Sequence, residues 1–147
     1  MSLTERINQD VKLAMKARDK DRLKVLRMIK AALQNEQLNH DEPLTGDQEL
    51  TILNREMKQR RDSLAEFEQA GREDLVEEVK AEIVIVEEYL PEQLSDEEIR
   101  QVVQDVIEEV GASSPSDFGK VMGPAMARLK GQADGSKVNA IVKELLH

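Results

Sequence analysis

The strongest constraint on the fold is a seam in the middle of the chain: Leu50, Leu53, Met57, Arg60, Leu64 and Phe67 recur at alternating steps of three and four residues. That spacing puts one stripe of side chains along an α-helix and is incompatible with a strand. Gly71 then ends the segment, and Leu75, Val79, Ile83, Val86 and Leu90 resume a helical period. Two long amphipathic helices joined by Ala70-Gly71-Arg72 predict an antiparallel hairpin. One residue in the seam is a cation. Arg60 is expected to pack its stem and send its guanidinium to the edge; the alternative is a buried arginine paired with an acid on a neighbouring helix.

Upstream, Ser2 with Glu5 reads as a capping box before Leu3, Ile7, Val11, Ala14 and Met15, giving a helix from about Leu3 to Ala17. Asp19 and Asp21 offer caps for a second helix, from about Asp21 to Leu38, in which Leu23, Leu26, Ile29, Lys30 and Leu33 resume the helical period. Thr45 with Gln48 caps the third. Downstream, Pro91 disfavours helix at Leu90, and Ser95 with Glu98 opens a new capping box, so a domain boundary is expected there. The next helix uses Ile99, Val102, Val103, Val106, Ile107 and Val110 and stops at Gly111. Ser114-Pro115 starts a short segment, Gly123-Pro124 should kink or divide the helical stretch there, and Asp134-Gly135 starts a last helix with Val138, Ile141, Val142 and Leu145 inward. The expected fold is all-α: a four-helix unit over residues 1 to 91, and a compact bundle of three or four helices over residues 92 to 147.

Charge is unevenly spread. The net charge is −9, yet Lys12 to Lys30 holds eight cations against two anions, and Glu66 to Glu109 holds sixteen anions against three cations. Arg22, Lys24 and Arg27 are expected to form a solvated face bridged to the acidic fourth helix. Gly119 to His147 carries five cations, Lys120, Arg128, Lys130, Lys137 and Lys143, against Asp134 and Glu144. Glycines at Gly131 and Gly135 let backbone approach a ligand closely there, and helix-start amides favour phosphate. Asp134 opposes this, because a cap carboxylate satisfies the same amides and repels anions. Phosphate contact would therefore come from the side chains.

Catalytic signatures are missing. There is no phosphate-binding glycine loop, no zinc-protease helix motif and no cysteine, and the only imidazoles are His40 and His147. No catalytic residue, metal site or cofactor is expected. No apolar run approaches the ~20 residues that span a bilayer, and a cytoplasmic protein is the expectation. Aromatic residues are 2% of the chain, so stacking on unpaired bases is poorly served and a folded RNA read by shape and phosphate is favoured.

Four stretches, RMIKAALQNE from Arg27, REMKQRRDSLAEFEQAGREDLVEE from Arg55, YLPEQLSDEEI from Tyr89 and GKVMGPAMARLKGQADGSKVNAIVKELL from Gly119, resemble the free-standing YqeY-like proteins across essentially the whole chain. The domain is similar to the C-terminal tail of the B subunit of the aspartyl/glutamyl-tRNA amidotransferase. That resemblance implies two helical bundles and contact with tRNA, which the amidotransferase tail helps to hold while other domains do the chemistry. Partners implied are tRNA and a tRNA amidotransferase or aminoacyl-tRNA synthetase. A protein-docking module and a glutamine-dependent carbon-nitrogen ligase are the alternatives. The tail turn commonly reads Gly-Gln-Ala-Asn, and here it reads Gly131-Gln132-Ala133-Asp134, with Gln132 where free-standing members often carry Arg.

Overall fold

The computed structural model describes residues 1–146; His147, one of the two imidazoles considered above, lies outside them. Every regular element among the described residues is helical: α1 (Leu3–Ala17), α2 (Lys20–Gln37), α3 (Gly46–Gln69), α4 (Glu73–Glu87), α5 (Asp96–Val110), a 3₁₀ turn (Pro115–Asp117), α6 (Phe118–Arg128) and α7 (Gly135–Leu145). The chain divides into two compact units, Met1–Leu90 and Pro91–His147.

In the first unit, α3 packs along α4 and α1 along α2. Their shared core includes Ile7, Val11, Leu26, Ile29, Leu33, Ile52, Leu53, Met57 and Val86. Burying each of the larger aliphatic side chains contributes about 2 kcal/mol. The α3 stripe lies slightly off the expected seam. Glu49, Ile52, Leu53, Met57 and Arg60 are its buried residues, whereas Leu50, Leu64 and Phe67 are only half-buried. α3 has α1 and α2 beside it as well as α4, so its buried face is wider than a two-helix seam.

Two buried ionic groups sit in this unit. Glu49 reaches from the first turn of α3 to the start of α1, accepting from Thr4 N at 3.0 Å, Thr4 Oγ1 at 3.1 Å and Leu3 N at 3.4 Å. One helix thus caps another, satisfying amides that have no intrahelical partner. Arg60 overturns the expectation that its head reaches the edge. Its side chain is 6% exposed, Nη1 pairs with Glu56 at 2.8 Å, and Nε lies 3.4 Å from Glu82 on α4 without the alignment of a hydrogen bond. The buried alternative holds because two carboxylates, one from each helix of the hairpin, surround the guanidinium.

The capping boxes at Thr45 and Ser95 are present, with both reciprocal bonds. At Ser2 only the hydroxyl bond to Glu5 N forms. Met15, expected inside, is 53% exposed: Ile7, Val11 and Ala14 take the inward face and Met15 falls beside it. α2 begins one residue early because Asp19 is its cap.

In the second unit, Ile99, Val103 and Val106 of α5 meet Val121 and Ala125 of α6, Leu129, and Val138, Ile141 and Val142 of α7. Pro124 does not divide α6, which runs unbroken from Phe118 to Arg128. The amide that proline lacks would have paired with the carbonyl of Lys120, an exposed residue, so water can take its place. No helix among the described residues is long and apolar enough to cross a membrane.

Candidate nucleic-acid interface

The turn between α6 and α7 is built on Gly131, whose φ of +77° is a left-handed conformation that favours glycine. Its backbone oxygens are already engaged. Gln93 Nε2 donates to Gly131 O at 2.6 Å, Leu94 N donates to Gln132 O at 2.9 Å, and Gln132 N donates to Leu129 O at 2.8 Å. Asp134 caps α7 as its position suggests, accepting from Ser136 N at 3.1 Å. Gly135 sits at the start of that helix, its α-carbon facing Met126. An anion is held by N–H groups rather than carbonyls, and here the amides of Gln132 and Ser136 already donate within the protein, with the Asp134 carboxylate beside them. Binding there falls to side chains.

Those side chains differ in how freely they could meet a phosphate. Arg128 forms an ion pair with Glu109 of α5, which holds its guanidinium above the ordinary range. Lys137 pairs with Asp96 at 2.9 Å, and Lys120 lies 3.6 Å from Asp117. The Asp117 carboxyl is held below its ordinary value first by the Ser113 amide it accepts from, with Lys120 adding to this. Lys143 lies 6.0 Å above the Phe118 ring. Lys130 is exposed and has no acidic partner among the described residues. The wider setting corrects the picture of a basic bundle. From Pro91 to His147 there are six cations against ten anions, because α5 contributes acids to the same small unit. Only the stretch from Gly119 onward is basic.

The first unit arranges its charges otherwise. Arg22 and Lys24 meet Glu88 and Glu78, at 2.5 and 3.2 Å, as expected for a face bridged to α4 and its end. Arg27, expected in the same bridged face, forms no such bridge: it and Lys12, Lys16, Arg18 and Lys20 are exposed and have no acidic partner among the described residues. Charge counting along the sequence flags this segment, but pairing cannot be read from it.

Two further features escape sequence reasoning. Arg6 stacks 4.5 Å from the centroid of Tyr89 and donates to Glu88 O, while Tyr89 Oη donates to Asp10 at 2.5 Å. This cluster holds the C-terminal end of α4, where cations complement the helix dipole. A groove of about 310 Å³ lies between α2, α3 and α4, with Met28, Phe67, Leu75 and Val79 along it and Arg60 and Glu82 in its lining. Among the described residues no group of three acidic, histidine or cysteine side chains is placed to hold a metal ion.

Residues 4–146 match the family described as Yqey-like protein. The chain is 31% identical over 145 residues to altered inheritance of mitochondria protein 41, mitochondrial, of Pyrenophora tritici-repentis, covering 96% of this chain and 79% of that one. The protein of the same name in Kluyveromyces lactis is 34% identical over 124 residues, 78% of this chain and 66% of the relative. A shorter segment of 55 residues, 35% of this chain and 9% of the relative, is 44% identical to the E subunit of the glutamyl-tRNA(Gln) amidotransferase of Methanobrevibacter smithii. The amidotransferase relative is thus an E subunit, alongside the likeness of the motifs to the tail of a B subunit. A family match over nearly every residue, with one relative 31% identical along 96% of this chain, means that the chain belongs to the YqeY family.

Proposed function

We propose that this protein is a non-catalytic tRNA-binding accessory factor linked to tRNA-dependent amidation or translation, and that its second unit contacts folded tRNA through phosphates. The observation that carries the reading is the 44% identity of one segment to a protein whose name specifies glutamyl-tRNA(Gln). Lys130 and Lys143 are the first contacts, with Lys120 close behind because its ion pair with Asp117, at 3.6 Å, is longer than those of Arg128 and Lys137. Arg128 and Lys137 join by exchanging exposed carboxylates for phosphate, which costs little when the original pairs are solvated. Gly131 and Gly135 shape the turn that carries them. A tRNA amidotransferase or aminoacyl-tRNA synthetase is the accompanying partner we propose, and the cytoplasm the compartment; cell fractionation decides the latter.

Filter retention of deacylated tRNA between about 50 and 200 mM salt tests the reading. Neutralising phosphates releases counterions, so affinity should fall steeply over that range. Absence of binding at the low end, or affinity indifferent to salt, removes the proposal. Protein docking is the competing reading, favoured by the groove beside Met28, Phe67 and Leu75. A partner recovered from cell extract that survives nuclease digestion, with no tRNA retained, would install it instead.

A further inference from the structure

We propose that the outer edge of the α1–α2 hairpin is a second RNA-binding surface, gripping the phosphate backbone of a double-helical segment through Lys12, Lys16, Arg18, Lys20 and Arg27. The inference rests on the proposed function only in taking the partner to be folded RNA; its residues lie in the other unit.

Placement comes first. Ile7, Val11 and Ala14 turn α1 inward, and at about 100° per residue Lys12 and Lys16 fall roughly on the opposite side of the helix. On α2, Val25, Leu26, Ile29 and Leu33 are buried, and Lys20 and Arg27 fall on the face turned away from them. Arg18 sits in the turn joining the two helices, so the exposed cations form a continuous edge around that turn.

Pairing is the second argument. These five side chains have no acidic partner among the described residues, although the chain has thirty carboxylate side chains. The nearby Asp19 is engaged as the cap of α2 and with Arg22. An edge of unneutralised cations on a net acidic protein concentrates attraction for a polyanion at one place and repels it elsewhere, which orients the encounter.

Backbone conformation is the third. Helix ends with left-handed φ occur at Arg18, Gly71 and Gly111, and the turn after α6 repeats it at Gly131; three of the four are glycine and the fourth is Arg18, at +57°. A side chain in that conformation is disfavoured relative to glycine, and keeping a cation there against the backbone preference points to a use for the charge.

The choice of RNA over a lipid surface follows from the same placement. An interfacial helix buries its apolar face in the membrane, but the apolar face of α1 is inside the protein core, leaving Leu13 and Met15 of α1 and Met28 of α2 exposed near the cations. A duplex is favoured over an unpaired strand because no aromatic side chain stands along this edge: Tyr89, the one tyrosine, is stacked by Arg6 and bonded to Asp10.

The test compares three proteins on the full chain: wild type, the quadruple variant Lys12→Gln/Lys16→Gln/Lys20→Gln/Arg27→Gln, and the control Lys130→Gln/Lys143→Gln. Binding of deacylated tRNA is measured from about 50 to 200 mM salt. Removing one phosphate-bound cation lowers the log-log salt slope by about 0.9, so the quadruple variant should have a slope smaller by about 3.6, roughly a hundredfold smaller fall in affinity across the range. Arg18→Gly, which relieves the backbone, serves as the variant that cannot fail for want of folding; its slope should drop by about 0.9. If both variants keep the wild-type slope while the control loses it, the surface proposed here is wrong and the tRNA reading stands. If wild type retains no tRNA, both are wrong. Sedimentation of wild type, but not of the quadruple variant, with vesicles of phosphatidylglycerol and phosphatidylcholine in the absence of tRNA binding would assign the edge to lipid and overturn the RNA proposal.

Discussion

The two units of this chain handle charge in opposite ways. Met1–Leu90 buries two ionic groups, Glu49 and Arg60, and leaves cations open along α1 and α2. Pro91–Leu146 has an apolar core and ties Arg100, Lys120, Arg128 and Lys137 to surface carboxylates. Both units carry net negative charge, so composition does not separate them. The difference lies in how many cations stand together without a carboxylate, five along α1 and α2 against Lys130 and Lys143 in the second unit, and that bears on which surface a polyanion meets at full strength.

The sharpest way to break this contrast is to remove the buried cation. Arg60→Met leaves Glu56 and Glu82 facing each other with little solvent and should destabilise the first unit by about 3 kcal/mol, read from urea unfolding with signals assigned to each unit. Replacing both acids as well, with Glu56→Gln and Glu82→Leu, should recover most of that loss; a variant as unstable as Arg60→Met would mean that shape rather than charge matters there. Glu49→Gln comes next. It keeps the volume but weakens the cap on α1, costing about 2 kcal/mol and raising hydrogen exchange at Leu3 and Thr4. Arg18→Gly runs the other way and should add about 1 kcal/mol of stability while weakening RNA binding. Stability and function separating at one residue would be hard to explain if Arg18 were merely a turn.

Tyr89 provides a pH measurement on the first unit. Burial, then the hydrogen bond to Asp10, raises its phenol above the ordinary 10.0. The folded state therefore holds the proton more tightly than the unfolded one: its contribution to stability is full below about pH 10 and is lost as pH rises through the higher folded value. Because the chain has one tyrosine, phenolate absorbance reports this group alone, and Asp10→Asn should bring its titration down. The carboxylates of the second unit respond at the other end of the scale. Glu98, held down by the Ser95 amide, and Asp117, held down by the Ser113 amide, favour their charged forms when folded. Their contribution is present above the ordinary carboxylate range and disappears as pH falls through their lower folded values. The smallest effect expected is from Glu109→Gln/Asp96→Asn, which should leave the unfolding midpoint of the second unit unmoved while raising tRNA affinity a few-fold by releasing Arg128 and Lys137.

Local chemistry was the legible part of the fold. Ser95 and Glu98 lie three apart and make the reciprocal bonds that this spacing permits; Thr45 and Gln48 do the same. Tertiary relations were not legible. Glu49 looks like one more first-turn acid, and nothing in its spacing says that it reaches the start of α1, more than forty residues away in sequence. Arg60 stood visibly in an apolar seam, but whether it reached water depended on Glu82, which the period of α4 alone does not place. Pro124 misled because a local penalty was weighed without the packing of Val121 and Ala125 on either side of it. In the candidate interface, the five cations after Gly119 were visible, whereas the acids that meet them come largely from α5, earlier in the chain.

The bonds from Gln93 and Leu94 to the α6–α7 turn bear on how this protein can be dissected. Anyone excising the second unit would be drawn to begin at Ser95, where the capping box announces a helix. Such a fragment would discard two residues that hold Gly131 and Gln132, loosening the turn beside Lys130. Beginning at Pro91 retains both ties. Two fragments differing by four residues would then give different tRNA affinities for a reason unrelated to any phosphate contact.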